Sequence, residues 1–408
     1  MKTKYLVLIG DGMADYPMPE LGGKTVLEHA TTPNMDYLAS HSQCGLTLNT
    51  PKDIPPGSDV AILSIFGYDP AKYYTGRGPL EAASKNIKLS DSDQVYRCNI
   101  VTIENEIMQD YSAGHISTPE ASELIDSLNK ELGSDMLRFY SGVSYRHLLV
   151  IKKDMQVSLT TPPHDISGKK IGEYLPKGRD KDFILELMES SKKILKDHPI
   201  NLARISAGKM LATQIWLWGG GKKPSMPTYK KRFNKNGAVI TAVDLIRGIG
   251  KILGLEVIDV PGATGYLDTN YLGKAEYALK ALEKKDFVLV HVEAPDEAGH
   301  NGDMGAKIQA IEDFDKLVVG TVLDNIKDKD IHYRMLVLPD HATPISLRTH
   351  SHDPVPYILY DNKIKMERSI KYCEKDISAL GNIQSAGYRL IEKLFEPCTE
   401  LVHGEGGM

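Results

Sequence analysis

The sequence predicts an α/β fold: a mostly parallel sheet with helices on both faces, interrupted by an inserted α/β domain. Three observations predict it. Short apolar runs at 5–9, 287–292, 335–338 and 355–359 are rich in Val, Ile and Leu and do not alternate with polar residues, as befits strands buried on both faces. Between them, at 273–284 and 307–326, apolar residues recur three and four apart, the spacing of an amphipathic helix. From about residue 85 to about 229 the texture changes, with proline-rich breaks at Thr161-Pro162-Pro163 and Leu175-Pro176.

Taken in order, the chain opens with Lys2 and Lys4 and the apolar run 5–9. That run is too short for a leader peptide and enters Gly10-Asp11-Gly12 with no small-residue cleavage site, so it reads as the first strand. The middle segment carries a strand-like run at 147–151 and a helical pattern at 183–195. Gly219-Gly220-Gly221-Lys222-Lys223-Pro224 reads as a flexible connector; it fails the phosphate-loop pattern because position 216 is Trp and Pro follows Lys223. Trp216 and Trp218, two apart, suit one side of a half-buried strand. The sheet pattern resumes at 237–240, which gives a core domain of 1–84 and 230–408 split by an insert of 85–229. The Lys/Glu-rich stretch 363–375 reads as solvated surface and 404–408 as a disordered tail.

Composition narrows the class. The 408 residues suit two or three domains at about 150 each. At 41% hydrophobic and 25% charged, the balance is that of a globular protein large enough to need no disulfide staples. A net charge of −5 gives no electrostatic reason to expect nucleic acid or an anionic membrane as partner. No apolar run approaches the roughly 20 residues of a membrane span. Cys44, Cys98, Cys373 and Cys398 form no CxxC pair, which suggests buried thiols in a reducing, cytoplasmic compartment.

The chemistry-bearing residues follow the core strands. Asp11 follows the first, Asp296 and His300 follow 287–292, Asp340-His341 follow 335–338, and His350-Ser351-His352 precede 355–359. Ligands of open α/β sheets bind beyond the carboxyl ends of the strands. Carboxylates and imidazoles gathered there suit divalent metals. Each residue singly has a plainer reading: Asp11 as a helix cap, Asp296 and His300 as a surface pair four apart, Asp340-His341 as a turn. Ser58, after Pro55-Pro56-Gly57, opens a helix and is either its cap or a hydroxyl at a phosphate-favouring helix N-terminus. Joint placement favours a two-metal centre.

Asp11, Ser58, Asp296, His300, Asp340, His341 and His352 together resemble the metal-binding set of the alkaline phosphatase superfamily. Within it the chain is similar to the archaeal-type, cofactor-independent phosphoglycerate mutases. The motifs are GDGMAD at 10–15, PPGSDVAILSIFGYDP at 55–70, YYTGRGPLEA at 73–82, VPGATGYLDTNY at 260–271, EAPDEAGHNGD at 293–303, and LPDHATP with RTHSHDPVP between 338 and 356. The resemblance implies an alkaline-phosphatase-like core with an inserted substrate domain. It implies one metal held by Asp296, His300 and His352, and a second by Asp11, Asp340 and His341, with Ser58 as additional ligand and nucleophile. Manganese is the expected metal, zinc and magnesium being compatible, and no 2,3-bisphosphoglycerate is required.

The implied reaction passes a phosphoryl group from 3-phosphoglycerate to Ser58 and back to the 2-hydroxyl of glycerate. The partner is thus a small phosphorylated molecule. Arg97, His115, Arg146, His147, His164 and Asp165, all in the insert, are the candidates for holding it, and Arg247 is a candidate for a positive charge beside the metals. The chain departs from the archaeal pattern where SAGH, ending at His115, replaces an RAGR-like stretch. GVSYRHLLV and TPPHDI look like a bacterial subgroup proposed to phosphorylate homoserine, for whose ammonium Asp165 would supply an acid. A broad phosphatase is the third reading.

Overall fold

The structure is a computed structural model that describes residues 3–156, 159–326 and 331–396. The chain divides into two compact units, Met1–Tyr74 with Pro227–Met408, and Thr75–Met226. Cys398 and the 404–408 tail lie outside the described residues.

The first unit is built on an eight-stranded sheet. Its spatial order is Ile383–Gln384, Gln43–Thr47, Val355–Asp361, Tyr333–Leu338, Lys4–Gly10, Phe287–Val292, Gly237–Ile240 and Glu256–Ile258. Pairing is parallel except where Val355–Asp361 meets its two neighbours. The central strands carry no alternation because both faces are covered. Leu6, Leu8, Val288, Val290, Met335 and Val337 pack with helices Pro33–Ser40, Tyr271–Lys284 and Met304–Asp313 on one side. On the other, Tyr5 meets Phe395 edge-on at 5.0 Å and Phe287 meets Tyr229 at 4.9 Å. The helical pattern 307–326 is delivered as an α-helix, a π-helical stretch Phe314–Gly320 and a second α-helix Thr321–Ile326. Within the π-helical stretch, the Asp315 carboxylate accepts from the backbone N–H groups of Asn34 and Met35 and so caps helix Pro33–Ser40.

Register places the site. Ile9 aligns with Leu338 and Gly10 with Val292, so three neighbouring parallel strands end at the same level. The residues that follow them, beginning with Asp11, Glu293 and Pro339, emerge along one sheet edge.

The second unit is an antiparallel sheet centred on the long strand Gln94–Glu104. It pairs with Arg146–Ile151, Gln214–Lys222 and Ile107–Asp110, and Leu137–Tyr140 flanks Arg146–Ile151. Tyr96, Cys98 and Ile100 face a core closed by helices Thr118–Leu132 and Lys181–Lys196. The opposite parity, Val95 with Leu148 and Val150, packs against Ala82 of helix Arg77–Ser84. That helix therefore belongs to this unit, and the division falls at 74/75 and 226/227 instead of 84/85 and 229/230.

The Gly219-Gly220-Gly221 connector is corrected outright: it lies inside strand Gln214–Lys222. Glycine is required there by space, since a Cβ on Gly220 would stand 2.2 Å from the Tyr96 ring and one on Gly221 2.0 Å from the Thr75 carbonyl oxygen. Composition that reads as flexibility is close packing. No helix among the described residues is long and apolar enough to cross a membrane.

Candidate functional site

Three strand ends and one helix start supply the first unit's polar centre. Asp11 follows Lys4–Gly10, Asp296 and His300 lie four apart on helix Ala294–Asn301, and Asp340-His341 follow Tyr333–Leu338. Ser58 is the first residue of helix Ser58–Ile65, after Gly57, and its Oγ lies 3.2 Å from His341 Nε2. Ligand atoms of Asp296, His300 and His350 lie within 4.8 Å of one another, as do those of Asp11, Asp296 and His341, and those of Asp11, His291 and Glu293. Asp340 adjoins them: its Oδ1 accepts from the backbone N–H groups of Gly12 and His341, and its Oδ2 lies 3.3 Å from His341 Nε2.

Burial sets the electrostatics. Asp11, Asp340 and His341 are essentially inaccessible. Burial, then Asp340, Glu293 and Asp296, pushes the Asp11 carboxyl well above the ordinary carboxylate range. Burial followed by Asp296 pushes Glu293 up to about 8. At Asp296 burial acts in the same direction, but the imidazoles of His300 and His350 outweigh it and hold the group well below its ordinary value. His300 is the reciprocal case: burial would lower it, and Asp296 raises it to about 9. His300 Nδ1 donates to the Arg348 carbonyl at 3.0 Å, which turns Nε2 toward Asp296 and His350.

The donors fit divalent cations. Asp11 Oδ1, Asp340 Oδ2 and Glu293 Oε2 are buried side-chain oxygens with no hydrogen-bond partner among the described residues, clustered with imidazoles. Mutually repelling buried carboxylates that lack donors are stabilised by a cation, and a mixed carboxylate–imidazole set suits manganese, zinc or magnesium.

Two expectations about the first unit are corrected here. His350, not His352, stands with Asp296 and His300; its Nε2 lies 3.0 Å from His300 Nε2 and 3.6 Å from Asp296 Oδ1. The cause is the backbone: Ser351 N–H bonds the Ala342 carbonyl, which pins the segment beside the Asp340-His341 loop at position 350. Past that point Ser351 Oγ bonds Asp353 and the chain turns into the next strand, and His352 Nδ1 is buried without a hydrogen-bond partner among the described residues. Arg247 instead pairs with Asp259 at 2.6 Å on helix Asp244–Ile252. A cation buried near the centre is Lys274, whose ammonium donates to the His291 carbonyl at 3.1 Å; burial lowers it to about 8 against the pull of Glu293.

His291 and Glu293 escaped the sequence reading because they sit in or directly after an apolar run. His291 Nε2 lies 2.8 Å from Asp11 Oδ2.

In the second unit, sheet parity sorts the candidates. Arg97 pairs with Leu148 and Trp218, and Arg146 with Asn99, so both arginines share one face. Arg97 is buried in a short ion pair with Glu81, which also binds Arg77 at 2.9 Å, and it lies 5.0 Å over Trp218. Ring contacts continue the face from Trp218 to His164 at 5.5 Å, from His164 to Tyr111 at 6.1 Å, from Tyr111 to Tyr145 at 5.5 Å, and from Tyr145 to His115 at 6.4 Å. Arg146 lies 5.4 Å over Tyr145, and Asp165 lies 3.8 Å from His164. His147 points the other way, buried, with Nδ1 accepting from the Gly142 N–H at 3.0 Å. It serves the fold of the Gly142–Arg146 turn and does not belong to that face.

The comparisons agree with this architecture. The family model described as 2,3-bisphosphoglycerate-independent phosphoglycerate mutase matches residues 39–201. A relative from Methanosarcina barkeri bearing that name is 55% identical over 358 residues, covering 88% of this chain and 90% of its own. One from Geobacter sulfurreducens, named as a probable enzyme of that type, is 49% identical over 398 residues, covering 96% and 100%. Among solved structures, a protein from Pyrococcus horikoshii matches with a TM-score of 0.81 at 29% identity, covering 98% and 99%. The cofactor-independent phosphoglycerate mutase of Thermoplasma acidophilum matches at 0.62 and 27%, covering 97% and 99%. The chain belongs to the 2,3-bisphosphoglycerate-independent phosphoglycerate mutase family.

Proposed function

We propose that this chain interconverts 3- and 2-phosphoglycerate through a phosphoserine on Ser58. One observation carries the reading: Ser58 Oγ stands at a helix start, 3.2 Å from His341 Nε2, inside a cluster of buried carboxylates and imidazoles. The Ser58 Oγ–phosphorus bond forms as the phosphorus–O3 bond breaks, and the serine proton ends on glycerate O3. In the second half the 2-hydroxyl oxygen takes the phosphorus, its proton returns to Ser58, and no second phosphate donor is consumed. The positive end of helix Ser58–Ile65 favours the phosphoryl group at that position.

Two divalent cations, manganese by preference, would be held by Asp296, His300 and His350, and by Asp11, Asp340 and His341 with Ser58. When bound, they supply the charge that lowers the pKa of a serine hydroxyl and stabilises phosphoryl oxygens. Asp296 and His300 are preset for this by one helical turn, and Asp340 by the backbone N–H groups of Gly12 and His341. In the second unit we assign Arg146, His164 and His115 to the glycerate carboxylate and phosphate, with Arg97 and Glu81 as a buried support beneath Trp218. The buried thiols of Cys44, Cys98 and Cys373, which form no disulfide among the described residues, support a cytoplasmic location.

The test offers metal-stripped, manganese-reloaded protein 3-phosphoglycerate in one vessel and homoserine with ATP in another, with Ser58→Ala as blank. We expect 2-phosphoglycerate without ATP and none from the variant. O-phosphohomoserine in the second vessel with no mutase activity in the first would reject the assignment. Release of inorganic phosphate as the main product would select a phosphatase.

A further inference from the structure

Thr343, fully buried two residues past His341, touches both ligand groups. Its hydroxyl bonds Asp296 Oδ1 and lies 3.2 Å from His341 Nδ1. A hydroxyl has one proton to give. An aspartate ready to ligate a cation is deprotonated and only accepts, so the threonine proton goes to Asp296. The threonine oxygen then accepts from His341, which puts the ring proton on Nδ1. Nε2 is left with its lone pair, and Nε2 faces Ser58 Oγ at 3.2 Å, Asp340 Oδ2 at 3.3 Å and Asp11 Oδ1 at 3.6 Å.

The surroundings hold the threonine in this posture. Its backbone N–H donates to the Ala14 carbonyl, and its own carbonyl accepts from the buried Lys307 ammonium at 2.9 Å, which also binds Asp15 at 2.7 Å. Gly12 has φ +62, and a Cβ there would stand 2.6 Å from the Thr343 hydroxyl and 2.7 Å from Asp296 Oδ1. A Cβ on Gly299 would stand 2.6 Å from the Thr343 carbonyl oxygen. Two glycines thus leave the room that the hydroxyl and its neighbours occupy.

We propose that Thr343 is a positioning residue that fixes the Nδ1-protonated tautomer of His341 and ties that ring to Asp296, so that one hydroxyl orients both ligand groups. The inference rests on the metal-centre reading above. Manganese titration followed by electron paramagnetic resonance of the free ion measures affinity without reference to turnover. Wild type binds manganese, Thr343→Val binds it about ten- to hundredfold more weakly, and Thr343→Ser, which restores the hydroxyl, recovers it. Equal affinity in wild type and Thr343→Val overturns the role of Thr343 and leaves the metal centre standing, whereas no binding by wild type overturns both. Nitrogen-resolved imidazole NMR of the zinc-loaded wild type decides the matter should Thr343→Val not fold. A proton on His341 Nδ1 supports the proposal, and a proton on Nε2 overturns it.

Discussion

His350 and His352 carry the same ligating group two residues apart, and only the backbone between them separates their roles. Because the Ser351–Ala342 hydrogen bond pins the segment at position 350, His350→Ala should weaken manganese binding by about a hundredfold or more, beyond the usual cost of losing a supporting residue. His352→Ala should change it by no more than about twofold, the range of a substitution away from any key contact. The reverse pattern in a titration would restore His352 as the ligand. Asp11, Asp296 and Asp340 were legible in the sequence because each follows a strand, and strand ends in a parallel sheet share an edge. A histidine on a loop has no such anchor, so the HisSerHis segment identified the chemistry without the atom. His147 was misread for a similar reason: two neighbours on a strand face opposite ways, and Arg146 alone has the polar face. Burial, then Arg97, lowers its imidazole from 6.5 to about 3. The unfolded chain therefore takes up this proton first. The stability it carries is whole above pH 6.5 and drains as pH falls toward about 3, by up to about 1.4 kcal/mol per pH unit. Urea unfolding of wild type and His147→Gln across that range should give a difference that shrinks with acid; a constant difference would refute the neutral buried histidine.

At the scale of elements, the strand Gln214–Lys222 shows how a composition rule fails. Three glycines in a row predict a linker when nothing else is known, yet here their missing side chains admit the Tyr96 ring and the Thr75 carbonyl. Gly220→Ala should therefore cost about 1–3 kcal/mol of stability, the usual penalty of overfilling a packed site. Gly172→Ala, where a Cβ meets nothing within 4 Å, is the control and should fall within about 0.5 kcal/mol of wild type. Matching losses at the two positions would mean the glycines act through backbone freedom and not through space. Strands and helices of the first unit were legible because their apolar runs and periodicities are strong. Helix Arg77–Ser84 was assigned to the core because no local signal says which sheet a helix will cover; Ala82 meeting Val95 and Leu148 is a tertiary fact.

At the scale of the whole chain, every metal-ligand candidate among the described residues belongs to the first unit: residues 11, 58, 291, 293, 296, 300, 340, 341 and 350 all fall outside Thr75–Met226. A cation that binds the native centre and not the unfolded chain stabilises by mass action, about 2.7 kcal/mol at a hundredfold excess over Kd. It also relieves the repulsion among Asp11, Asp340 and Glu293, each of which buries one oxygen with no hydrogen-bond partner among the described residues. The added stability should therefore be confined in space. Hydrogen exchange with and without manganese is expected to show protection rising in Lys4–Gly10, Phe287–Val292 and Tyr333–Leu338, with Gln94–Glu104 and Arg146–Ile151 unchanged. Chelation should reverse the first change and leave the second unit's slow amides as they were. An equal rise in both sheets would show that the two units unfold together, and a rise in neither would remove the metal centre as a source of stability.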